Sequence, residues 1–163
     1  MNRFSLVHGH GRLMDPPGRS SLKYFQNDPN VAPYWSSVRP NYNDNQLFCG
    51  GFSTQVANGY RCGICGDNYA EARPRANELG GTFGKSQIIP RQYRAGDYMP
   101  IGIQITAHHK GYFKFKLCKI ENEMDTEPED CFNRYVFVQG FTDWTVLENF
   151  QWWFSTKIRK WER

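Results

Sequence analysis

The sequence has no apolar run that approaches the roughly 18 residues needed to span a bilayer. It also has little excess charge, because 20 lysines and arginines face 16 aspartates and glutamates, and the basic residues are spread along the chain. A nucleic-acid-binding protein is expected to concentrate positive charge on one surface, so nucleic acid is not the expected partner. We therefore expect a soluble protein with no membrane span, unless a segment ahead of the printed start is an anchor.

Composition favours an all-β protein. Aromatic residues make up 16% of the 163 residues, and 15 glycines and 9 prolines are typical of short strands joined by many turns. A chain of this length usually forms one domain and can bury a usable core. Residues 15–45 are rich in prolines and asparagines that favour turns and extended backbone. We expect an ordered loop there, pinned by the aromatic residues Tyr24, Phe25, Tyr34 and Trp35.

Five cysteines are present, which is an odd number. In a secreted protein most of them would be paired and one would have no disulfide partner in the chain. Three lie within 17 residues and are flanked by glycines, a pattern that fits either a disulfide framework or a partial zinc knuckle: Cys49, Cys62 and Cys65. A zinc site needs a fourth ligand at a matching spacing, and no histidine lies between His10 and His108. Disulfides are therefore favoured.

The other two cysteines, Cys118 and Cys131, bracket an acidic, turn-like segment. A disulfide that closes a loop of this size contributes roughly 3 kcal/mol by the chain-entropy estimate. We expect this pair to be bonded.

The clearest secondary structure is a predicted β-hairpin between residues 98 and 118. Apolar and polar residues alternate over two stretches, and a period of two predicts a pair of half-buried strands whose apolar positions are Met99, Ile101, Ile103, Ile105, Phe113, Phe115 and Leu117. The hairpin tip carries His108 and His109, and loops held by a rigid sheet are common positions for sites. A solvated polar turn that contains two histidines is the alternative.

The last stretch has a helical period. Its apolar residues recur at steps of three and four, and four basic residues gather near the end, which predicts a basic amphipathic helix; the apolar positions are Leu147, Phe150, Phe154, Ile158 and Trp161. Such a helix could lie on a membrane surface, pack on the sheet, or be sequence foreign to the domain. We interpret residues 140–163 as a divergent tail of the last kind.

His10 follows a bond that a secretory signal peptidase could cut, because Val7 and Gly9 are small residues at the third and first positions before it. A histidine at a chain terminus offers its α-amino group and its imidazole to one metal ion, whereas an internal histidine offers one nitrogen. The first six residues are too few for the apolar run of a signal peptide, so residues 1–9 are interpreted as the remnant of a presequence. Alternatively, His8 and His10 are solvent-exposed histidines in a glycine-rich leader.

Motifs run in unbroken order along residues 10–135: His10-Gly11-Arg12-Leu13-Met14-Asp15-Pro16-Pro17 with Arg19, Tyr42-Asn43-Asp44-Asn45, Leu47-Phe48-Cys49-Gly50-Gly51, Cys62-Gly63-Ile64-Cys65-Gly66-Asp67, Pro74-Arg75 with Glu78 and Gly80-Gly81, Ile105-Thr106-Ala107-His108-His109-Lys110-Gly111-Tyr112-Phe113, Leu117-Cys118 and Cys131-Phe132. Together they resemble a lytic polysaccharide monooxygenase of auxiliary-activity family fifteen, which belongs to the copper oxygenases also labelled type-4 chitin-binding domains. The resemblance implies a secreted, monomeric protein with an immunoglobulin-like or fibronectin-III-like β-sandwich and long loops.

The resemblance places this domain at residues 10–139 and implies that it is incomplete. Beyond about residue 139 none of the later family sequence is found, neither its further strands of the sandwich nor the aromatic residue at the axial side of the copper. We therefore expect C-terminal strands to be missing.

The resemblance also implies one copper ion in a histidine brace. His10 would supply its α-amino nitrogen and a ring nitrogen, and His109 would supply the third nitrogen. His108 lies where relatives often have asparagine and would be an outer neighbour. Three nitrogens suit copper better than other first-row divalent metals.

The implied reaction is oxidative cleavage of β-1,4-linked glycans in crystalline chitin or cellulose, with an external electron donor and hydrogen peroxide or oxygen. No pair of glycosidase carboxylates is required, which agrees with the absence of a convincing pair in the sequence. A flat face with exposed aromatic residues should contact the crystal, and Tyr24, Tyr34 and Trp35 are candidates that could equally be structural. A non-catalytic chitin-binding module, or an inactive fragment of such an enzyme, is the alternative function.

Overall fold

The computed structural model describes residues 10–94, 98–107, 115, 118, 120, 128, 130–134, 146–147 and 151–157. In chain order its strands and α-helices are β1 (His10–Asp15), α1 (Phe52–Ala57), β2 (Tyr98–Ala107), α2 (Cys131–Arg134), β3 (Val146–Leu147) and β4 (Gln151–Lys157), with short 3-10 helices at Arg19–Tyr24, Ala32–Ser37 and Ile64–Gly66. This part of the chain contains no helix long and apolar enough to cross a membrane. It is mostly non-helical, and the all-β prediction is confirmed.

The four strands form one antiparallel sheet in the order β1-β2-β4-β3. Strand β2 has the predicted alternation, and its buried side chains Ile101 and Ile103 form the core of the sheet. The neighbours that pack against this pair are Leu13, Met99, Ile105 and Phe115. Full burial of one such aliphatic side chain stabilises a fold by about 2 kcal/mol. The first predicted strand of the hairpin is therefore confirmed, whereas the second strand, apart from Phe115, and the hairpin tip lie outside the described residues.

The long segment between β1 and β2 is organised around buried polar side chains. The backbone N–H and the side-chain amide of Asn77 each donate to the carboxylate of Asp67 at 2.7 Å. The hydroxyl of Ser20 donates to the Asn77 side-chain oxygen at 2.5 Å, and the Asn41 amide donates to that hydroxyl at 2.9 Å. Because these buried groups find partners within the segment, the loop is ordered as predicted.

The aromatic residues of this segment lie at its surface or are partly buried. The rings of Tyr24 and Tyr34 are exposed rather than packed inside the segment, while Phe25 and Trp35 are partly buried. Tyr24 and Phe25 are nevertheless in contact with cationic side chains, Tyr24 with Arg12 and Lys23 and Phe25 with Arg91.

Two disulfides join Cys49 to Cys62 and Cys118 to Cys131. The predicted bond between Cys118 and Cys131 is confirmed. The bond between Cys49 and Cys62 favours the disulfide framework over the zinc knuckle for this cysteine cluster, because a sulfur in a disulfide is not a zinc ligand. The remaining cysteine of that cluster, Cys65, is exposed.

The predicted helix in the tail is wrong where the structure describes the tail. Residues 151–157 form β4, which pairs with β2 from Tyr98 opposite Lys157 to Gln104 opposite Gln151. An unpaired edge of β2 would expose a row of backbone donors and acceptors, and tryptophan, phenylalanine and threonine favour strands. Pairing with β2 therefore overrides the helical period, and the two strands β3 and β4 lie beyond residue 139. That further strands of the family are missing stays a prediction. The domain boundary at residue 139 stays a prediction.

Candidate metal site at the start of the sheet

The first residue of β1, His10, is paired with the last residue of β2, Ala107. Since the two strands are antiparallel, the start of β1 and the end of β2 lie at the same edge of the sheet. His10 is partly buried at this edge. The predicted partner His109 and its predicted outer neighbour His108 follow Ala107 directly in the sequence and lie outside the described residues.

The pairing of β1 and β2 is interrupted next to His10. His10 is opposite Ala107, whereas the following residue, Gly11, is opposite Ile105, so Thr106 is an extra residue on β2. This is a β-bulge, a feature that redirects side chains and is common next to active sites. A Cβ atom at position 11 would lie 3.1 Å from the backbone carbonyl oxygen of Gln104, so glycine permits the close approach of the two strands here.

One loop residue, Asn45, contacts both strands at this interruption. The Gly11 backbone N–H donates to the Asn45 backbone carbonyl at 2.9 Å. The Asn45 side-chain amide donates to the Thr106 hydroxyl at 3.0 Å. The loop is therefore bonded to the residue after His10 and to the extra residue of β2.

The neighbouring carboxylate of Asp44 fixes this loop to β1. Its buried oxygens accept hydrogen bonds from Arg12 Nη1 at 2.9 Å and from Lys23 Nζ at 3.1 Å. Arg12 lies two residues after His10, and residues two apart on a strand point to the same side. The contacts of Asp44 hence hold the loop beside the side of β1 that carries His10.

Exposed tyrosines flank this ion-pair cluster. The ring centroid of Tyr24 lies 4.8 Å from the Arg12 guanidinium carbon and 4.9 Å from Lys23 Nζ, and its hydroxyl accepts a hydrogen bond from Arg12. Lys23 also lies 5.1 Å from the ring centroid of Tyr42. Tyr24 is 48% exposed and Tyr42 is 81% exposed. Their rings present apolar faces with polar rims to solvent.

A cleft of about 710 Å³ lies alongside β1 at this edge. It is lined by His10 and Arg12 of β1 and by residues of the segment between β1 and β2, including Ser20, Asp44, Asn45, Phe48 and Asn77. Within the described residues no group of three histidine, cysteine or acidic side chains could hold a metal ion by itself. In the sequence, the predicted second ligand His109 lies two residues after Ala107, the residue that pairs with His10.

The sequence pattern indicates His10 as a candidate ligand but indicates no role for Asn45 or Thr106. Both residues belong to motifs that support the family resemblance, but they are 61 positions apart in the sequence. The pairing of β1 with β2 brings them together. The bulge that makes the contact possible has no distinctive sequence pattern here beyond Gly11.

Comparison with known proteins identifies the family of the chain. The family described as lytic polysaccharide mono-oxygenase, cellulose-degrading, matches residues 10–139, so the match begins at the first residue of β1. Among solved structures, the chain is similar to an AA15 lytic polysaccharide monooxygenase from Thermobia domestica in the Cu(I) state, with a TM-score of 0.76 and 36% sequence identity. That likeness covers 93% of this chain and 75% of the other. No curated protein sequence matches the chain.

Proposed function

The chain belongs to the lytic polysaccharide monooxygenases of the AA15 type, a copper-dependent family that acts on polysaccharides, and from this we propose its site and substrate. We propose that the protein is secreted and is cut before His10. His10 and His109 then hold one copper ion in a histidine brace. The processed protein cleaves β-1,4-linked glycans in crystalline chitin or cellulose by oxidation.

The observation that carries the proposal is the pairing of His10 with Ala107. His109 is two residues beyond Ala107 in the sequence, and two residues of chain span at most about 7 Å. A histidine side chain at that distance can direct its ring nitrogen towards a metal ion at His10. This supports His109 as the partner that the brace requires.

The nitrogen donors that His10 can offer are suitable ligands for copper. Imidazole is a favourable ligand for copper, and divalent copper binds a given nitrogen site more tightly than the other first-row divalent metals do. The second nitrogen from His10 is its α-amino group, which is a ligand only after the bond to Gly9 is cut, because an amide nitrogen within the chain is not basic. A copper ion held by His10 and His109, once reduced by the external electron donor, would supply the chemistry that activates hydrogen peroxide or oxygen for oxidation at the glycosidic linkage.

The exposed aromatic rings near His10 suit a sugar polymer. Arg12 and Lys23 are both paired with the one buried Asp44 carboxylate, which compensates one of their two positive charges. The exposed rings of Tyr24 and Tyr42 provide apolar faces for the C–H faces of sugar rings, with hydroxyls for hydrogen bonds to the sugar. We propose that these two rings contact the glycan chain next to the cleaved linkage.

The release of oxidised oligosaccharides from chitin or cellulose is the measurement that tests the proposal. Protein processed to begin at His10, loaded with copper and incubated with chitin or cellulose, a reductant and hydrogen peroxide, is expected to release oxidised oligosaccharides that mass spectrometry detects. The matched control is the same protein with His109→Ala, which should release none above background. Adsorption to chitin without oxidised product from the unaltered protein would instead establish a non-catalytic binding module.

A further inference from the structure

We propose that Asn45 is a positioning residue that fixes the start of β1 against the end of β2 and thereby sets the geometry of the copper site. The inference rests on the proposed function, since it concerns the arrangement of the copper ligands. It adds a residue that holds no metal but acts through the two strands that carry His10 and lead to His109.

The two bonds of Asn45 lie on the two sides of the strand interruption. Its carbonyl accepts from Gly11 N–H at 2.9 Å, one residue after His10. Its side-chain amide donates to Thr106 Oγ1 at 3.0 Å, three residues before His109. The contact therefore joins the segments that would carry the two copper ligands.

At the bulge, the regular hydrogen bonds of the sheet do not fix the start of β1 against the end of β2. The Gly11 N–H is directed to the loop carbonyl, and Thr106 has no opposing residue on β1. At such an interruption the local twist and spacing of the strands are not fixed by the ladder alone. The bonds from Asn45 supply the missing restraint.

Asn45 is itself held firmly enough to act as a restraint. The preceding residue, Asp44, is buried and bonded to Arg12 and Lys23. The following residue, Gln46, donates its backbone N–H to the Asn43 carbonyl at 3.1 Å, which closes the turn. The position of Asn45 is thus determined by β1 and by the 3-10 helix that contains Lys23.

The test is the copper(II) affinity and the electron paramagnetic resonance spectrum of the protein processed to begin at His10. Asn45→Ala and Thr106→Val each remove the side-chain bond, and each is expected to weaken copper binding about tenfold, the lower end of the range for groups that support metal ligands. Both should shift the copper hyperfine coupling in the same direction. The double variant should be no weaker than either single variant, because both remove one interaction.

Two matched controls separate positioning from general damage. Thr106→Ser keeps the hydroxyl and should restore the unaltered affinity and spectrum. Asn43→Ala changes an exposed side chain of the same turn that accepts a hydrogen bond from the Gln46 side chain, and it should leave both readouts unchanged. Thermal unfolding midpoints within about 4 °C of the unaltered protein would show that the variants are folded.

Unchanged affinity and spectra in Asn45→Ala and Thr106→Val would overturn the assignment while leaving the copper site intact. Equal changes in Thr106→Ser and Thr106→Val would also overturn it, because the hydroxyl would then be irrelevant. If the unaltered processed protein bound no copper, the proposed function would be wrong, and the role of Asn45 would be wrong with it.

Discussion

Replacing His109 by alanine is expected to lower the copper(II) affinity of the processed protein by more than about 100-fold. Loss of a supporting group around a metal typically costs about 10- to 100-fold in affinity, so loss of a ligand should cost more. The remaining His10 would offer two nitrogens and no third donor from the end of β2. Competition against a chromophoric chelator of known affinity measures the change.

His108→Ala is the matched control for this substitution. It removes the neighbouring imidazole, which lies one residue after the end of β2 at Ala107, whereas His109 lies two residues after it. We expect its copper affinity to stay within about tenfold of the unaltered protein, as for a group outside the ligand set. A larger loss of affinity in His108→Ala than in His109→Ala would show that His108, and not His109, is the copper ligand.

Glu78→Gln is expected to lower the free energy of unfolding by about 3 kcal/mol, because it breaks a buried ion pair. Glu78 is 0% exposed, and its carboxylate accepts hydrogen bonds from Arg73 Nε at 3.0 Å and from Arg75 Nη1 at 2.8 Å. The Arg75 backbone N–H donates to it at 2.8 Å. The uncharged amide would leave the buried Arg75 guanidinium without its carboxylate. Urea unfolding at neutral pH measures the loss.

Glu71→Gln makes the same chemical change at an exposed position of the same loop. Its effect on the free energy of unfolding should stay within about 0.5 kcal/mol, as for most surface substitutions. Similar losses in the two variants would show that the pairing of Glu78 with Arg73 and Arg75 contributes nothing specific.

The loss of unfolding free energy in Glu78→Gln should decrease at acid pH. Burial raises the pKa of the Glu78 carboxyl, but hydrogen bonds from the Arg75 backbone and from the guanidinium groups of Arg73 and Arg75 outweigh it, so the pKa lies below its usual value. A lowered pKa in the folded state stabilises the protein above the unfolded-state pKa, which is about 4.3 for glutamate. The stability difference between the unaltered protein and Glu78→Gln should therefore be constant near neutral pH and shrink as the pH falls below about 4.

Local sequence patterns predicted the elements that depend on local chemistry. The alternation around Ile101 and Ile103 predicted β2, because one face of a strand must be buried. The spacing of Cys118 and Cys131 predicted their disulfide. The likeness to the AA15 structure confirms the β-sandwich that the motifs implied.

The tail and the site depend on contacts between distant residues, which local patterns do not contain. Phe154 stands in a three-and-four period, yet it pairs with Ile101 in the sheet because β2 offers an open edge. Asn45 contacts Gly11 and Thr106 only because the two strands are antiparallel and interrupted beside His10. The motif that contains Asn45 supported the family resemblance without revealing its role.

Copper titration before and after removal of residues 1–9 tests the central claim most directly. The protein that begins at His10 should bind one copper(II) ion at least about 100-fold more tightly than the 163-residue chain, since only the former has a free α-amino nitrogen on His10. Isothermal titration calorimetry of both forms gives the affinity and the stoichiometry. Equal affinities in the two forms would contradict the histidine brace.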